Sequence, residues 1–132
     1  MFDTDLADID NDGRLDLGAN SFGASAGLHV YRNNGDGTWT QTWGFVGGNS
    51  TDDCLVGDVN ADGNADFVAA HQSGTVYLGD GAGNFTNADG NLPSGGTLGR
   101  AGISLGDVDN DGDLDLSFKV TGGALQVWLW NG

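Results

Sequence analysis

The sequence predicts an all-β fold built from three copies of one strand-rich unit, the last of them incomplete. An acidic segment occurs three times, as DIDNDGRLDL from Asp8, DVNADGNADF from Asp58 and DVDNDGDLDL from Asp107, at spacings of 50 and 49 residues. Each copy is followed by a second shared element, GLHVYRNNG, GTVYLGDG or ALQVWLWNG. Helix signals are almost absent, because the chain has 25 glycines and no glutamate and its short apolar runs have the length of strands.

The elements of each unit are predicted to follow in a fixed order. A strand leads into the acidic loop, and a second strand, a turn, a third strand, a glycine-rich turn such as NGDGTW and a fourth strand come after it. The units cover about residues 1–47, 48–95 and 96–132, and together they form a single repeat domain. The third unit stops at its glycine-rich turn, so we expect it to lack the outer strand.

The charge of the chain excludes several partners. All 19 acidic residues are aspartate, against four Lys and Arg, and the formal net charge is −15. Nucleic acid is not expected as a partner, because little in the chain could neutralise phosphates. Membrane insertion and a signal peptide are not expected either, since no apolar run is long enough and Met1 precedes no basic and apolar segment.

The acidic loops have the pattern of a site for a hard cation. Counting the first Asp as position one, side-chain oxygens fall at positions one, three, five and nine, and position six is Gly13, Gly63 or Gly112. Alternate side chains on a tightly turning backbone converge on one point, and the carbonyl at position seven supplies a further oxygen. We therefore predict about three Ca²⁺ ions, one per unit. The predicted ligands are Asp8, Asp10, Asp12, Arg14 and Asp16; Asp58, Asn60, Asp62, Asn64 and Asp66; and Asp107, Asp109, Asp111, Asp113 and Asp115.

Position twelve separates these loops from EF-hands. An EF-hand needs a glutamate there and a helix on each side, whereas these loops have Ala19, Ala69 and Phe118. The Asp at position nine lies between apolar residues, so strand alternation directs it back toward the loop, and the site is predicted to bridge two adjacent antiparallel strands. At positions one, three, five and nine, Asn60 leaves the middle loop with three carboxylates where its neighbours have four, and we expect the middle loop to bind calcium most weakly.

These motifs resemble the VCBS and FG-GAP repeats of integrin-like β-propellers. The resemblance rests on the GDVNADGNADF core, the GTVYL strand and the GDGAGNF and NGDGTW turns, and it covers nearly the whole chain. It implies that each unit is a propeller blade, a four-stranded antiparallel sheet with calcium in the loop between its first two strands. The chain would then form an arc, or part of a larger propeller.

Several other residues are interpreted as structural. The GASAG segment fits an esterase pattern, but a strand follows Ser25 where a nucleophile elbow needs a helix. His29 and His71 lack further zinc ligands, and Cys54 aligns with Ile103 as a small buried residue. Two sets of aromatic residues are distinguished: Tyr31, Tyr77 and Trp128 align as a packing column, whereas Trp39, Trp43 and Trp130 are less regular and are candidates for exposed rings that stack on a sugar face. Asn49 and Asn84 fit the N-glycosylation pattern.

Two classes of function fit this pattern. The first is a non-catalytic calcium-binding module, extracellular or on the cell surface, for adhesion, glycan binding or structural assembly, with no catalytic residue and no organic cofactor. Its partners would be a glycan, further copies of the chain in a closed ring or filament, or the missing blades of a longer chain. The alternative is an accessory or catalytic propeller of a polysaccharide-degrading enzyme. Regular repetition of the acidic residues favours the first class, because it singles out no acid/base pair.

Overall fold

The chain forms three antiparallel sheets in a row. The computed structural model describes residues 3–21, 27–46, 50–71, 74–90, 92, 98–120 and 124–130, and within them it contains eleven strands and no helix. The predicted limits of the units, at 47/48 and 95/96, lie outside the described residues. The described part of the chain includes no apolar helix of membrane-spanning length.

Each sheet is a simple meander, which confirms the predicted all-β architecture with an incomplete third unit. Strand order follows the sequence in all three sheets, which we call the first, second and third blade. The first blade comprises β1 (Asp3–Ala7), β2 (Asp16–Ser21), β3 (Gly27–Asn33) and β4 (Trp39–Val46). The second comprises β5 (Ser50–Gly57), β6 (Asp66–His71), β7 (Gly74–Gly79) and β8 (Phe85–Asn87), and the third β9 (Leu98–Gly106), β10 (Asp115–Val120) and β11 (Leu125–Trp128).

The first hydrophobic core lies between the first and second blades. Leu28 and Val30 of β3 pack there with residues of the second blade, among them Phe67 and Tyr77. Trp43 joins this core, with its ring 5.1 Å from Tyr77 and 6.2 Å from Phe67 between centroids. The interpretation of Trp43 as a candidate exposed ring is therefore wrong. It lies opposite Val30 on β3, and side chains directly opposite each other project from the same face of a sheet.

The second hydrophobic core lies between the second and third blades. Val68 and Val76 pack there with Ile103, Leu116 and Phe118. Trp128 stacks on Phe118, with 6.4 Å between ring centroids, and Trp130 packs against the same cluster. The same interpretation of Trp130 is wrong as well, whereas Trp39 is 48% exposed.

The predicted packing column is only partly buried. Tyr77 is buried, and Trp128 packs against the second core. Tyr31 is half-buried on the outer face of the first blade, where it stacks on His29. The column thus packs as predicted wherever a neighbouring blade covers it.

Among the described residues, no neighbouring blade covers the outer face of the first or the third blade, and each of these faces exposes apolar side chains. In β6 of the second blade, Phe67 and Val68 on opposite faces are both buried. On the first blade, Leu6 lies opposite Leu17 and is 54% exposed; together with Tyr31 they form what we call the first end face. On the third blade, Leu125 and Val127 are 70% and 53% exposed and form the third end face.

Carboxylates join the first strands of successive blades. Asp3 Oδ2 accepts a hydrogen bond of 2.8 Å from the Cys54 amide of β5, and Asp53 Oδ2 accepts one of 2.8 Å from the Ile103 amide of β9. Both aspartates stand five residues before the first Asp of their loop, and the third blade has Gly102 at this position. Asp5 adds a bond of 2.8 Å to the Val56 amide.

The carboxyl groups of Asp3 and Asp53 also interact with each other. Burial opposes ionisation of Asp3, but hydrogen bonds from the Cys54 amide and from Asp53 hold the pKa of Asp3 below its usual value. Burial and the same contact raise the pKa of Asp53.

Replacement of Gly18 by alanine should weaken the junction between the first two blades. A Cβ atom at Gly18 would lie 2.7 Å from Phe67 Cε2 and 2.9 Å from Val56 Cγ2, so the second blade would have to shift. We expect Gly18→Ala to lower the free energy of unfolding by about 1–3 kcal/mol, measured by urea denaturation. Gly106→Ala is the control, since a Cβ there meets nothing within 4 Å. Equal midpoints for the two variants would contradict this reading of the junction.

Candidate metal centre

Each acidic loop turns sharply at two residues with left-handed backbone conformation. The glycine at position six has a φ of 86°, 89° and 102° in the three loops, as the glycine pattern predicts. Position four is left-handed as well, with a φ of 58° at Asn11, 55° at Ala61 and 62° at Asn110. This second turn was not predicted, although asparagine at two of the three positions is a signal for it.

The Asp at position one closes the turn. Asp8 accepts hydrogen bonds from the Asp12 amide at 3.0 Å and from the Gly13 amide at 2.9 Å. Asp58 accepts the equivalent pair at the same two distances, and Asp107 accepts the Gly112 amide at 3.2 Å. The carboxylate thus fixes the loop backbone around the place where a cation would lie.

The Asp at position nine is buried in every blade and connects three parts of it. Its Oδ2 accepts the amide at position two of the loop, and its Oδ1 accepts an amide at or just beyond the end of the third strand. Asp16 binds Ile9 at 3.0 Å and Asn33 at 2.8 Å; Asp66 binds Val59 at 2.7 Å and Gly79 at 2.8 Å; Asp115 binds Val108 at 2.8 Å and Trp130 at 2.9 Å. The residue predicted as a ligand is therefore also a structural link.

Two of the three loops bring three carboxylates together. Asp8, Asp10 and Asp16 offer oxygen atoms that all lie within 4.8 Å of one another, and so do Asp107, Asp109 and Asp115. The middle loop has Asp58 and Asp66 at the outer positions of this set, but Asn60 at position three. Carboxylate groups at this spacing match the oxygen ligands that Ca²⁺ prefers.

Asp10 shows that the residues of the first loop fit a cation. Its Oδ1 is buried and has no hydrogen-bond donor among the described residues. Burial raises the pKa of Asp10, and the charges of Asp16 and Asp12 raise it further. Loss of hydration and the neighbouring Asp111 likewise raise the pKa of Asp109 in the third loop. A bound cation would give the Oδ1 atom a partner and relieve this repulsion.

The Asp at position five lies outside the groups of three. Asp12 Oδ1 accepts the Arg14 amide at 2.9 Å, and its carboxylate pairs with the Arg14 guanidinium. Asp62 accepts the Asn64 amide at 2.8 Å and the Asn60 side chain at 3.1 Å. Asp111, the residue at position five of the third loop, accepts the amide of the residue two places on at 3.0 Å. Coordination by every predicted ligand stays a prediction, including Asp12, Asn60, Asp62 and Asp111 and the carbonyls of Arg14, Asn64 and Asp113.

The first loop has positive charges of its own. Arg32 Nε lies 3.9 Å from Asp10 Oδ2, and the Arg14 guanidinium pairs with Asp12. The residues equivalent to Arg32 are Leu78 and Leu129, which carry no charge. The first loop is therefore partly neutralised by the protein, whereas the five aspartates of the third loop form no ion pair among the described residues.

The other candidate residues have structural partners or lie outside the described residues. His29 Nε2 is 3.3 Å from Ser21 Oγ, and its Nδ1 is 3.4 Å from Gln41 Nε2, which confirms that it is a satisfied histidine. Cys54 is buried as predicted, and burial raises the pKa of Cys54 to about 12. Ser25, Asn49 and the side chain of His71 lie outside the described residues, and Asn84 Nδ2 donates to Asp80 at 2.8 Å.

The loops should differ in affinity for calcium. The third loop should bind most tightly, because it has five aspartates and no arginine, and the middle loop most weakly, because it has three carboxylates. In calorimetric calcium titrations, Asp109→Asn should remove the tightest binding step. Asp36→Asn, in a turn outside the loops, should leave every step unchanged. A tightest step that survives Asp109→Asn would show that this ranking is wrong.

Comparison with known proteins gives one family. The family model of the FG-GAP-like repeat matches the chain twice, over residues 8–69 and 58–117. No curated protein and no solved structure matches the chain. The two family matches begin at the first Asp of the first and second loops and together cover most of the chain, including all three loops. The chain therefore belongs to the FG-GAP-like repeat family.

Proposed function

We propose that this chain is a non-catalytic calcium-binding repeat module that acts outside the cell in adhesion, glycan binding or assembly. The single observation that carries the proposal is the buried Asp10 Oδ1, which lacks a hydrogen-bond donor among the described residues beside two further carboxylates. Asp8, Asp10 and Asp16 would hold the ion of the first loop, and their equivalents those of the others. FG-GAP-like repeats are typical of extracellular modules, and this supports the location.

The bound ion would act through its positive charge and would take no part in catalysis. The chain carries a formal charge of −15, and three calcium ions would reduce it to −9. The carboxylates that would bind them also accept backbone hydrogen bonds, which hold the loop in its turn. A structural role for calcium is favoured over a catalytic one, because these carboxylates are held by the backbone rather than presented to a substrate.

Trp39 supports glycan binding as one form of this activity. Of the three tryptophans considered for sugar stacking, Trp43 and Trp130 pack against the blade cores, and Trp39 is exposed at the start of β4. It follows the polar turn in which Asp36 accepts hydrogen bonds from Thr38. An exposed ring beside carboxylate and hydroxyl groups suits a sugar face and its hydroxyls.

Removal of calcium should destabilise the chain. An ion bound only by the folded state contributes about 2.7 kcal/mol per site at a hundredfold excess over the dissociation constant. We expect excess EGTA to lower the melting temperature of the full chain markedly, measured by circular dichroism. The double variant Asp10→Asn and Asp109→Asn should show a smaller shift. An identical melting curve with and without EGTA would refute calcium binding in the native state.

We also propose that the two end faces are covered in the working protein. Leu6 and Leu125 are exposed on the outer faces of the first and third blades. The equivalent faces of the second blade are buried against neighbouring blades, so a further blade of the same kind would cover Leu6 and Leu125. The cover is either a second copy, in a ring or filament, or further blades of a longer chain. A junction made by the third blade would rest on apolar contact, because Gly102 replaces the carboxylate.

The isolated chain with calcium should therefore self-associate. Light scattering after size exclusion at micromolar concentration should give a mass above 13.5 kDa, the mass of one chain. Leu6→Asp should reduce the association, because it places a charge in the first end face. Thr86→Asp adds the same charge to an exposed residue of β8 and should change little. A stable monomer would mean that three blades need no further cover.

A further inference from the structure

The first and second acidic loops are in direct contact. Asn11 Nδ2 donates a hydrogen bond of 3.2 Å to Asn64 Oδ1. Asn11 stands at position four of the first loop, between Asp10 and Asp12, and Asn64 stands at position seven of the second loop. Asn11 adjoins predicted ligands of the first ion, and Asn64 itself supplies a predicted ligand of the second ion. The bond therefore joins the surroundings of two different cations.

A glycine of a third element makes room for this bond. Gly81 lies in the turn between β7 and β8 with a φ of 69°. A Cβ atom there would lie 2.8 Å from Asn11 Nδ2 and closer still to Asn64 Oδ1. The turn thus packs directly on the pair of side chains and limits the positions they can take.

The second and third loops are joined in a different way. The Leu114 amide donates a hydrogen bond of 2.9 Å to the Val59 carbonyl. This amide belongs to the same peptide unit as the Asp113 carbonyl, a predicted ligand of the third ion, and Val59 lies between Asp58 and Asn60. Ala61 replaces the asparagine at position four here, so a backbone bond takes the place of the side-chain bond.

We propose that Asn11 and Asn64 are positioning residues that couple the first and second calcium sites, so that filling one site raises the affinity of the other. The inference rests on the proposed calcium binding by the loops. Without an ion, the carboxylates of a loop repel one another, and the asparagine beside them is held less firmly. An ion in one loop fixes its asparagine in the orientation that the other loop needs. Coupling of this kind is reciprocal between the two sites.

A calcium titration followed by ¹⁵N NMR of the full chain can measure each loop separately. The amides of Gly13 and Gly63 donate to the position-one Asp of their own loops, so each reports the occupancy of one loop. We expect Asn11→Ala to weaken calcium binding by the second loop, read at the Gly63 amide, about fivefold. This is the effect of about one lost hydrogen bond. Asn64→Ala should weaken binding at Gly13 by the same factor.

Asn110→Ala is the matched control. Asn110 has the same position and backbone conformation in the third loop, and no loop of a further blade follows it among the described residues. This change should affect only the third loop, read at Gly112. Asn11→Ala should fold, because Ala61 already adopts this conformation in the second loop.

A double-mutant comparison separates coupling from a local structural effect. Asp10→Asn disables the first site and should weaken binding at Gly63 as much as Asn11→Ala does, and the two changes together should add nothing. If the loops bind calcium and Asn11→Ala leaves the calcium affinity read at Gly63 unchanged, the coupling is wrong and the proposed function stands. No calcium response at any of the three glycines would overturn both.

Discussion

Each blade depends on one buried carboxylate, that of the Asp at position nine. Asp16, Asp66 and Asp115 are at most 1% exposed, and each binds a loop amide with one oxygen and an amide at or just beyond the end of the third strand with the other. A buried carboxylate without such partners would be strongly destabilising, so the loop and that strand end must both lie in place when the blade forms. The geometry of the candidate cation site follows from this requirement.

The same side chain explains why structure and cation binding are difficult to separate here. An aspartate that already accepts two amides has lone pairs left, since a carboxylate accepts about four hydrogen bonds. Asp16 can therefore serve the backbone and still lie within the group formed with Asp8 and Asp10. Substitution of the position-nine Asp would damage the blade itself, and for this reason positions three and four are better places to examine calcium alone.

Much of the fold could be predicted because it repeats over short distances. The short apolar runs, the glycines and three copies of one motif predicted the strands and the missing outer strand, and the resemblance to FG-GAP repeats implied that each unit is an antiparallel sheet. Trp43 could not be placed by counting, because the pairing of β3 with β4 shifts at Thr42 and moves the residues beyond it to other faces. Trp130 lies beyond the last strand, where alternation no longer applies.

The arrangement of side chains within each loop could be predicted from the sequence, but the contacts between neighbouring blades and their loops could not. Converging carboxylates follow from a local turn, whereas the partners of Asp3 and Asp53 lie 51 and 50 residues further along the chain. A signal was present, since both aspartates stand at one fixed offset from their loops, but their role appears only when neighbouring blades are in contact. The contact between Asn11 and Asn64, 53 residues apart, has the same character.

The position of Cys54 gives the molecule a chemical reporter of its own. It is the single thiol of the chain, it is fully buried between the first two blades, and its amide is held by Asp3. Burial keeps it protonated, and a protonated thiol reacts slowly with electrophiles. Separation of the blades would expose it and restore ordinary reactivity. The rate at which a thiol reagent labels the native chain therefore measures how often this junction opens, without any engineered probe.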